Sequence, residues 1–235
     1  MEVKDGIILT GGTGSRLRPL TNVVNKHLIP INGKFIIDYP INTLKEIGCE
    51  NITVILGSNH SGQIIDYLKD GADFGVNISY VYQSKPSGIS QAISLCERFV
   101  KDKFAVMLGD NIYGTSIKLK ESKKAQIVLC SHKELKRFGV ASIDKNGKII
   151  KIEEKPLNLD CSVNNFAITG TYIFDSLFFE YFKQTSKSAR GEFEIVDIIR
   201  KYLDNGNLDY SIINSSWVDA GTHEAVEYAS KHMLK

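Results

Sequence analysis

The sequence predicts an α/β protein built on a Rossmann-like, doubly wound sheet that is mixed but mainly parallel. The first observation behind this prediction is a regular alternation of strand-like and helix-like segments along the first half of the chain. The second is that the strand-like segments are almost continuously apolar, as strands are when helices cover both faces of a parallel sheet. The third is a change after residue 120, where strand-like runs follow one another with fewer helices between them. This change favours a mixed sheet in the second half.

The predicted elements follow in order from the N-terminus. In the first half, apolar strands alternate with helical segments, with strands at 7–9, 51–57, 78–83 and 104–111 and helices at 35–48, 60–70 and 87–100. In the second half, the strand-like runs are AQIVLCSH, GVASIDKNGKIIKIEEKP and NFAITGTYIFD. Within the second of these, DKNGK is typical of a hairpin turn. The pattern is completed by helices at 176–185 and about 192–204, a strand at 208–213 and a closing helix after WVDAGT.

The length of 235 residues suits one large α/β domain, because a fold of this size buries most of its unfolded surface without disulfide or metal support. We therefore interpret residues 1–235 as a single domain, with a nucleotide-sized half over about 1–115 and a half over about 116–235 that completes the cleft. The 29 basic and 27 acidic residues give a net charge of +2, which makes no case for a nucleic-acid or membrane surface. We expect neither partner, and any anion site must be local.

The four cysteines lie far apart, with no CxxC pair and no histidine at ligand spacing, so the sequence does not predict a zinc site. Buried free thiols in a reducing compartment are the expected state. No segment reaches the ~20 apolar residues that span a bilayer. The N-terminus also lacks the apolar stretch and cleavage site of a signal peptide. We expect a cytoplasmic protein.

A glycine-rich loop, Gly11-Gly12-Thr13-Gly14, directly follows the first strand. Backbone there can approach a phosphate closely and present its N–H groups as donors. Two known phosphate-binding patterns fail on spacing. The Rossmann pattern G-x-G-x-x-G would need glycine where Leu17 stands, and the P-loop pattern G-x-x-x-x-G-K-[ST] is absent from the sequence.

Cations surround this loop. Arg16 and Arg18 follow within four residues of Gly14, Lys26 lies a dozen residues on, and Pro19 ends any helix early. The segment is therefore expected to lie as a loop over its ligand. Arg16 and Lys26 could clamp the negative charges of a triphosphate by charge-assisted hydrogen bonds. For the glycines alone, a flexible surface turn with solvated cations is the alternative.

Two carboxylates stand where strands end. Asp110 in LGDN comes at the carboxyl end of an apolar strand, the edge at which open α/β sheets bind ligands. Asp219 in WVDAGT follows a strand-like run and precedes a helix. Mg²⁺ takes oxygen donors and usually shares them with substrate phosphates, so each aspartate is a suitable ligand. Taken singly, either could equally be a helix cap or a turn residue.

The run LTGGTGSRLRPLT…NKHLIPI resembles the signature G-G-x-G-x-R-L-x-P…K-x-L-x-P-I of the sugar-1-phosphate nucleotidylyltransferases. Within that family it is most similar to the short form of the glucose-1-phosphate thymidylyltransferases. Thr10 departs from the alanine that is usual before the glycine pair. The resemblance covers about residues 5–230 and implies the nucleotide-diphospho-sugar transferase type of fold. It also implies nucleotide contacts by Leu9, Gly11, Gly12, Thr13, Gly14, Ser15 and Arg16.

The segment QSKPSGISQA, residues 83–92, resembles the nucleobase loop of this family. By that resemblance, Gln83 reads the pyrimidine edge and Gly88 lets the base lie against the backbone. The chemistry is suitable, because a glutamine amide offers both donor and acceptor groups, as a uracil-type edge requires. Outside this context, a glutamine before a turn usually marks only the end of a strand.

Segments of the second half resemble the sugar-phosphate site of the family. In FGVASID and IEEKP, Gly139 and Glu154 correspond to contacts with sugar hydroxyls, and Lys155 corresponds to the contact with the sugar phosphate. In AITGTY, Thr169 and Gly170 are candidate sugar contacts. The charges of IEEK could equally belong to an exposed strand edge.

Two further segments complete the resemblance. Trp217 would be a neighbour of the site, and SARGEFEIVDI, residues 188–198, corresponds to a segment with a structural and sugar-adjacent role. The charged residues of this second segment could also form plain salt bridges.

The resemblance implies a direct displacement, in which an oxygen of the sugar-1-phosphate attacks the α-phosphorus of a nucleoside triphosphate and pyrophosphate leaves. Such chemistry needs alignment and charge neutralisation rather than a protein nucleophile. The implied cofactor is Mg²⁺, held by Asp110 and Asp219. The implied catalytic residues are Arg16, Lys26, Asp110 and Lys155.

The favoured substrates are dTTP and glucose-1-phosphate. UTP or CTP with another phosphorylated acceptor is the alternative within the class, because the thymine methyl is worth only ~1–3 kcal/mol to a pocket. A non-catalytic nucleotide-sensing subunit is an alternative from another class, and a missing aspartate or lysine would have favoured it.

Polysaccharide and deoxysugar synthesis is the implied pathway, and a homo-oligomer is compatible with the sequence. Longer family members carry a further helical region with a regulatory site, which is not expected in a chain that ends at Lys235.

Overall fold

A nine-stranded mixed sheet is the framework of residues 2–120 and 124–233, the part of the chain that the computed structural model describes. Four further strands in these residues form two short ladders beside it. In chain order, the strands are β1 (Asp5–Leu9), β2 (Pro30–Ile31), β3 (Lys34–Phe35), β4 (Asn51–Leu56), β5 (Asn77–Tyr82), β6 (Phe104–Leu108), β7 (Asn111–Tyr113), β8 (Ala125–Cys130), β9 (Gly139–Ile143), β10 (Ile149–Glu154), β11 (Asn164–Phe174), β12 (Leu208–Ile213) and β13 (Trp217–Asp219). The α-helices are α1 (Asp38–Ile47), α2 (Ser61–Leu68), α3 (Ile89–Ser94), α4 (Leu177–Lys183), α5 (Ile195–Asp204) and α6 (His223–His232).

The sheet centres on β1, which lies between β4 and β6 and runs parallel to both. β5 adds a fourth parallel strand outside β4. The three central strands start in register, since Asp5 pairs with both Asn51 and Phe104. Their carboxyl ends therefore meet at one edge, which is where ligands of doubly wound sheets bind.

β11 joins these parallel strands to the second half of the chain. Its C-terminal residues pair antiparallel with β6 and its N-terminal residues pair with β9, whereas β8 pairs along the opposite edge. β10 extends the sheet beyond β9, and β12 runs parallel to β8. The register against β8 shifts between Ile168 and Tyr172, so β11 bulges at the place where β6 ends and β9 begins. The prediction of a mixed, mainly parallel sheet is confirmed.

Helices cover both faces of the sheet, as the apolar strands predict. Ile7 and Leu9 of β1 lie in one buried cluster with residues of α3, α4 and α5. Ile8, between them, lies in a cluster on the opposite face with residues of α1 and α2. Because successive side chains of a strand point to opposite faces, a strand that is apolar at every position needs cover on both sides.

Two elements are shorter than the sequence pattern indicated. The predicted helix at 87–100 stops at Ser94, the end of α3. The predicted strand at 104–111 stops at Leu108, because the chain turns there and β7 pairs with β13 instead. Asp110 therefore lies on the turn between β6 and β7.

The prediction of buried thiols is right for three of the four cysteines. It is wrong for Cys161, which is exposed in the polar loop between β10 and β11. All four are free thiols. No helix within the two described ranges is long and apolar enough to cross a membrane.

Candidate active site

Two adjoining cavities open at the carboxyl ends of β1 and β6. The first has a volume of about 260 Å³ and the second of about 570 Å³. Ile89 and Leu108 line both cavities, so the two share a wall. The predicted site residues that line the first are Leu9, Gly11, Gly12, Lys26, Gln83, Gly88 and Asp110. The predicted site residues that line the second are Arg16, Gly139, Glu154, Lys155, Gly170, Trp217 and Asp219.

The glycine loop has a defined conformation after β1. Gly12 and Gly14 have φ values of 98° and 62°, a left-handed region that residues other than glycine rarely adopt. The carbonyl oxygen of Gly14 accepts a hydrogen bond from Thr21 Oγ1 at 2.8 Å, which ties the loop to the following turn. Thr13, Gly14 and Ser15 line neither of the two cavities, and their nucleotide contacts stay predictions.

An ion pair lies in the first cavity. Lys26 Nζ is 2.5 Å from Asp110 Oδ2, and both side chains are largely buried. Burial by itself would raise the pKa of Asp110, but the Lys26 ammonium, its hydrogen bond and further favourable contacts together outweigh this effect and hold the pKa at about 2. Asp110 is therefore ionised at neutral pH. The pair places one carboxylate and one ammonium in the same corner of the cavity.

The short antiparallel ladder of β7 and β13 brings Asp219 to this corner. Asp219 pairs with Asn111 in the ladder, and the N–H of Ala220 donates to the carbonyl oxygen of Asp110 at 2.8 Å. Burial, and then the negative charge of Asp110, raise the pKa of Asp219. This direction is expected when two carboxylates lie close together.

Arg16 reaches the same corner from the glycine loop, and Gly221 makes room for it. A Cβ atom on Gly221 would lie 2.7 Å from Arg16 Nη2 and 2.9 Å from Asp219 Oδ1. Both distances are shorter than van der Waals contact, so a side chain at this position would displace the guanidinium and the carboxylate. Gly221 is a further functional position that was not predicted from the sequence. The available signal was a glycine two residues after a predicted metal ligand.

Gln83 and Gly88 lie on the loop between β5 and α3. Gln83 is buried at the end of β5, and its Nε2 donates to Gln91 Oε1 at 2.6 Å. Gly88 has a φ of 99°, and a Cβ atom there would lie 2.6 Å from the carbonyl oxygen of Phe193. The N–H of Phe193 donates to the carbonyl oxygen of Ser87 at 2.8 Å, which holds this contact in place. Both the backbone conformation and the close approach of Phe193 therefore require glycine at 88.

Lys155 lies in the second cavity immediately after β10, with a φ of 43°. A lysine in the left-handed region is strained, and strain of this kind is concentrated at functional sites. Burial raises the pKa of the neighbouring Glu154, although Lys155 and Arg190 oppose the shift. Arg190 Nη2 lies 3.1 Å from Glu154 Oε1 and 2.7 Å from Glu194 Oε2. The salt bridges considered for the SARGEFE segment therefore exist, and they brace Glu154 at the cavity.

Trp217 and Gly170 share one hydrogen-bond partner, Asn111, which the sequence analysis missed. Asn111 Oδ1 accepts from Trp217 Nε1 at 2.6 Å and from the N–H of Gly170 at 3.1 Å. Thr169, in contrast, is fully buried, and its hydroxyl donates to the carbonyl oxygen of Val128 at 2.9 Å. Thr169 lines neither cavity, so its side chain packs β11 against β8 rather than facing the cleft.

Other charged residues line the cavities without having been predicted. Lys136 and Arg137, on the turn before β9, add positive charge to the second cavity. Glu192 reaches the first cavity from the SARGEFE segment. The basic pair directly precedes the predicted FGV segment, and this position was a usable signal. For Glu192, the signal was the resemblance of residues 188–198 to a sugar-adjacent segment, although the sequence did not show which cavity the residue would reach.

Cations and carboxylates, rather than a nucleophile with a base, meet where the cavities adjoin. His27 is buried beside Lys26, and burial lowers its pKa to about 3, so its imidazole is neutral at physiological pH. Fixed cations from Arg16 and Lys26 can hold anionic ligands together and neutralise charge that moves between them. This arrangement is suited to displacement at phosphorus, which depends on positioning and electrostatics.

A doubly wound sheet, a glycine loop with adjacent cations and two facing aspartates together define a nucleotidyltransferase. The chain belongs to the nucleotidyl transferase family, which matches it over residues 5–235. The predicted family and type of fold are thereby confirmed.

Three similar proteins show which enzymes of the family this chain resembles. Glucose-1-phosphate thymidylyltransferase of Neisseria meningitidis serogroup A is 39% identical over 235 residues, which cover 96% of this chain and 81% of that protein. The low-salt glycan biosynthesis nucleotidyltransferase Agl11 of Haloferax volcanii is 37% identical, with 98% of this chain and 66% of that protein covered. A crystal structure from Bacillus anthracis, assigned to a glucose-1-phosphate thymidylyltransferase in complex with sucrose, has a TM-score of 0.89 and 42% identity. The match covers 97% of this chain and 94% of that one.

Proposed function

We propose that the protein transfers a nucleotidyl group from dTTP to glucose-1-phosphate and releases pyrophosphate. The observation that carries this proposal is the meeting of Arg16, Lys26, Asp110 and Asp219 where the two cavities adjoin. Relatives that bear the name glucose-1-phosphate thymidylyltransferase support this choice of substrates.

The first cavity takes the nucleotide. Apolar side chains, among them Leu9, Ile89 and Leu108, offer surface for the base, and Gln83 offers hydrogen bonds to its edge. The glycine loop presents backbone N–H groups to the triphosphate. All but one of the residues that line this cavity belong to residues 1–115, the exception being Glu192. This distribution supports the division into a nucleotide-binding half and a half that binds the sugar phosphate.

The second cavity takes glucose-1-phosphate. Most of its lining comes from residues 116–235. Glu154, fixed by Arg190, accepts hydrogen bonds from sugar hydroxyls, and the Lys155 ammonium binds the phosphate. Arg137 adds a second cation on the same wall. The backbone strain at Lys155 supports its placement in contact with the substrate.

The reaction is a single displacement at the junction of the cavities. The phosphate oxygen of glucose-1-phosphate attacks the α-phosphorus of dTTP, the bond to the β-phosphate oxygen breaks, and pyrophosphate carries away the electron pair. Arg16 and Lys26 neutralise the charge that builds up on the α-phosphoryl group and on the leaving pyrophosphate. Alignment of two bound substrates provides much of the remaining rate enhancement.

Asp110 and Asp219 would hold the Mg²⁺ ion. Two carboxylates in one corner, beside the place for a triphosphate, fit the usual protein contribution to a Mg²⁺ site, which is one or two carboxylates completed by substrate phosphates and water. When bound, the ion supplies charge neutralisation on the phosphate oxygens. Within residues 2–120 and 124–233, no cluster of three or more potential protein ligands for a metal is present, so substrate phosphates and water would complete the coordination of the ion.

UTP is the second candidate nucleotide. Uracil differs from thymine by one methyl group and has the same hydrogen-bonding edge, so the polar groups at Gln83 fit both bases. A methyl in an apolar pocket discriminates by only about 10–200-fold. Preference for dTTP over UTP therefore depends on how the apolar wall of the first cavity packs against the thymine methyl group. It also depends on whether the cavity accommodates the ribose 2′-hydroxyl of UTP.

Product analysis tests the proposed reaction. The protein is incubated with dTTP, glucose-1-phosphate and MgCl₂, and the mixture is separated by ion-exchange chromatography with mass detection. We expect dTDP-glucose and pyrophosphate in equal amounts, and neither product with Asp110→Asn. Release of pyrophosphate without dTDP-glucose would contradict the proposed acceptor.

The product would serve glycan synthesis in the cytoplasm. A nucleoside diphosphate-sugar is the activated donor for sugar transfer, and the Haloferax volcanii relative is named for glycan biosynthesis. Nucleoside triphosphates and reduced thiols belong to the cytoplasm, which fits the four free cysteines.

A further inference from the structure

We propose that Gln91 selects the class of nucleobase by fixing which end of the Gln83 amide faces the first cavity. The inference rests on the proposed function, since it takes this cavity to be the nucleotide site. Gln91 does not line the cavity, so it acts on the base only through Gln83. Its role is that of a positioning residue.

The geometry of the two amides carries the inference. Gln83 Nε2 donates to Gln91 Oε1 at 2.6 Å, so the amide nitrogen faces α3. Gln83 Oε1 faces the glycine loop, because a Cβ atom on Gly11 would lie 3.4 Å from it. Gln83 is buried and lines the cavity, and none of the residues in 2–120 and 124–233 donates a hydrogen bond to this oxygen. The first cavity is therefore lined by an acceptor, Gln83 Oε1, that has no protein donor within the described residues.

This acceptor distinguishes two classes of pyrimidine. Thymine and uracil carry a hydrogen on N3, which can donate to Gln83 Oε1. Cytosine has a lone pair on N3, and two acceptors would then face each other in a buried place. A site built to hydrogen-bond one group rejects an analogue that lacks it, because its own polar group is left unpaired.

Gln83 alone could not make this distinction. The last torsion of a glutamine side chain is broad and roughly two-fold, so a free amide can turn and present its NH₂ group to cytosine. The hydrogen bond to Gln91 prevents the turn by holding the NH₂ group on the opposite side.

The backbone that carries Gln91 is held by several contacts. α3 begins after Gly88, whose carbonyl oxygen accepts from the N–H of Ala92 at 3.2 Å. Ser94 Oγ donates to the carbonyl oxygen of Gln91 at 2.7 Å. The close contact of Gly88 with Phe193 anchors the start of the same helix.

Substitutions at 91 separate the acceptor role from mere packing. Glutamate has the shape of glutamine and can only accept, so Gln91→Glu keeps the amide in the observed orientation. Methionine has similar length and neither donates nor accepts strongly, so Gln91→Met frees the amide. Lysine can only donate, so Gln91→Lys turns the amide and favours cytosine.

The test is the equilibrium binding of dTTP, UTP and CTP with Mg²⁺, measured by calorimetry without an acceptor sugar. We expect the wild-type protein to bind dTTP and UTP more tightly than CTP. Gln91→Glu keeps this ratio even where the added charge weakens all three nucleotides alike. Gln91→Met lowers the ratio by about tenfold, the worth of one oriented hydrogen bond, and Gln91→Lys lowers it at least as far. Thermal unfolding of each variant checks that it is folded.

Several outcomes would overturn the inference. They are wild-type binding of CTP as tight as that of UTP, loss of discrimination in Gln91→Glu, and retained discrimination in both Gln91→Met and Gln91→Lys. Failure of the proposed function would look different. The wild-type protein would then release no pyrophosphate from dTTP and glucose-1-phosphate, while its preference among the three nucleotides would still be measurable by binding.

Discussion

Replacing Gly221 by alanine is expected to slow the reaction strongly without unfolding the protein. The added methyl group would lie 2.7 Å from Arg16 Nη2 and 2.9 Å from Asp219 Oδ1. Both are ends of side chains rather than backbone atoms, and residue 221 does not have a left-handed φ. The chain can therefore accept the methyl group by moving the guanidinium and the carboxylate, which are the groups proposed to act on the substrate phosphates.

The size of the effect follows from these distances. Ordinary van der Waals contact begins at 3.4 Å, so Arg16 must retreat by about 0.7 Å and Asp219 by about 0.5 Å. A misplacement of about 1 Å in a catalytic site can cost about 100-fold in rate. We expect kcat/KM to fall by about 100-fold, which corresponds to ~2.7 kcal/mol of transition-state stabilisation. The free energy of unfolding should change by no more than ~1 kcal/mol.

The assay is steady-state pyrophosphate release, combined with urea unfolding of the same preparations. Gly62→Ala is the matched control, because Gly62 lies in α2 and a Cβ atom there would meet nothing within 4 Å. We expect the control to have wild-type activity and equal or slightly higher stability, since alanine is the better helix former. If Gly221→Ala is as active as Gly62→Ala, the proposed placement of Arg16 and Asp219 is wrong.

Three other results are expected. Asp110→Asn should reduce turnover by more than about 10³-fold while circular dichroism stays native, because the ion site loses a charge. Near-normal activity would remove Asp110 from the mechanism. Lys155→Asn should lower kcat/KM by about 100-fold but leave the unfolding free energy unchanged or raised by up to ~1 kcal/mol, since asparagine tolerates left-handed backbone better than lysine. A clear loss of stability in that variant would refute the argument from strain. Removal of divalent ions with EDTA should stop turnover and added Mg²⁺ should restore it, whereas persistent turnover would exclude Asp110 and Asp219 as ligands of an essential ion.

The sequence was sufficient for those parts of the site that depend on local pattern. The glycine loop follows an apolar strand, and strand ends of a doubly wound sheet meet at one edge. That rule placed Gly11 and Asp110 at one cleft, the family resemblance added Gln83, and all three line the first cavity. Alternation of apolar strands and helices likewise predicted cover on both faces of the sheet.

Contacts between distant segments could not be predicted in the same way. Asn111 accepts hydrogen bonds from Gly170 and Trp217, which lie 59 and 106 residues away. Nothing in the local pattern of Asn111 indicates these partners, because they depend on how β7 and β11 meet. Gly221 and Gln91 were missed for the same reason, since each acts by what a neighbour in space requires.

For Thr169, the sequence motif indicated the right strand but not the side chain that reaches the cavity. Its motif suggested a sugar contact, but successive residues of a strand face opposite sides. Ile168, Gly170 and Tyr172 of β11 line the second cavity, and the hydroxyl of Thr169, on the opposite face, is bonded to Val128 instead. The motif located the right strand, while the alternation of side chains along it decides which residues face the cavity.

The most direct test of the account is pyrophosphate release by the wild-type protein with glucose-1-phosphate and Mg²⁺, run in parallel with dTTP, UTP, CTP, GTP and ATP. The account predicts release with dTTP, weaker or comparable release with UTP, and little with CTP or the purine nucleotides. A preference for CTP or for a purine would contradict the assignment of Gln83 and Gln91. If no pyrophosphate is released with any of the five nucleotides, the assignment of glucose-1-phosphate as the acceptor is contradicted.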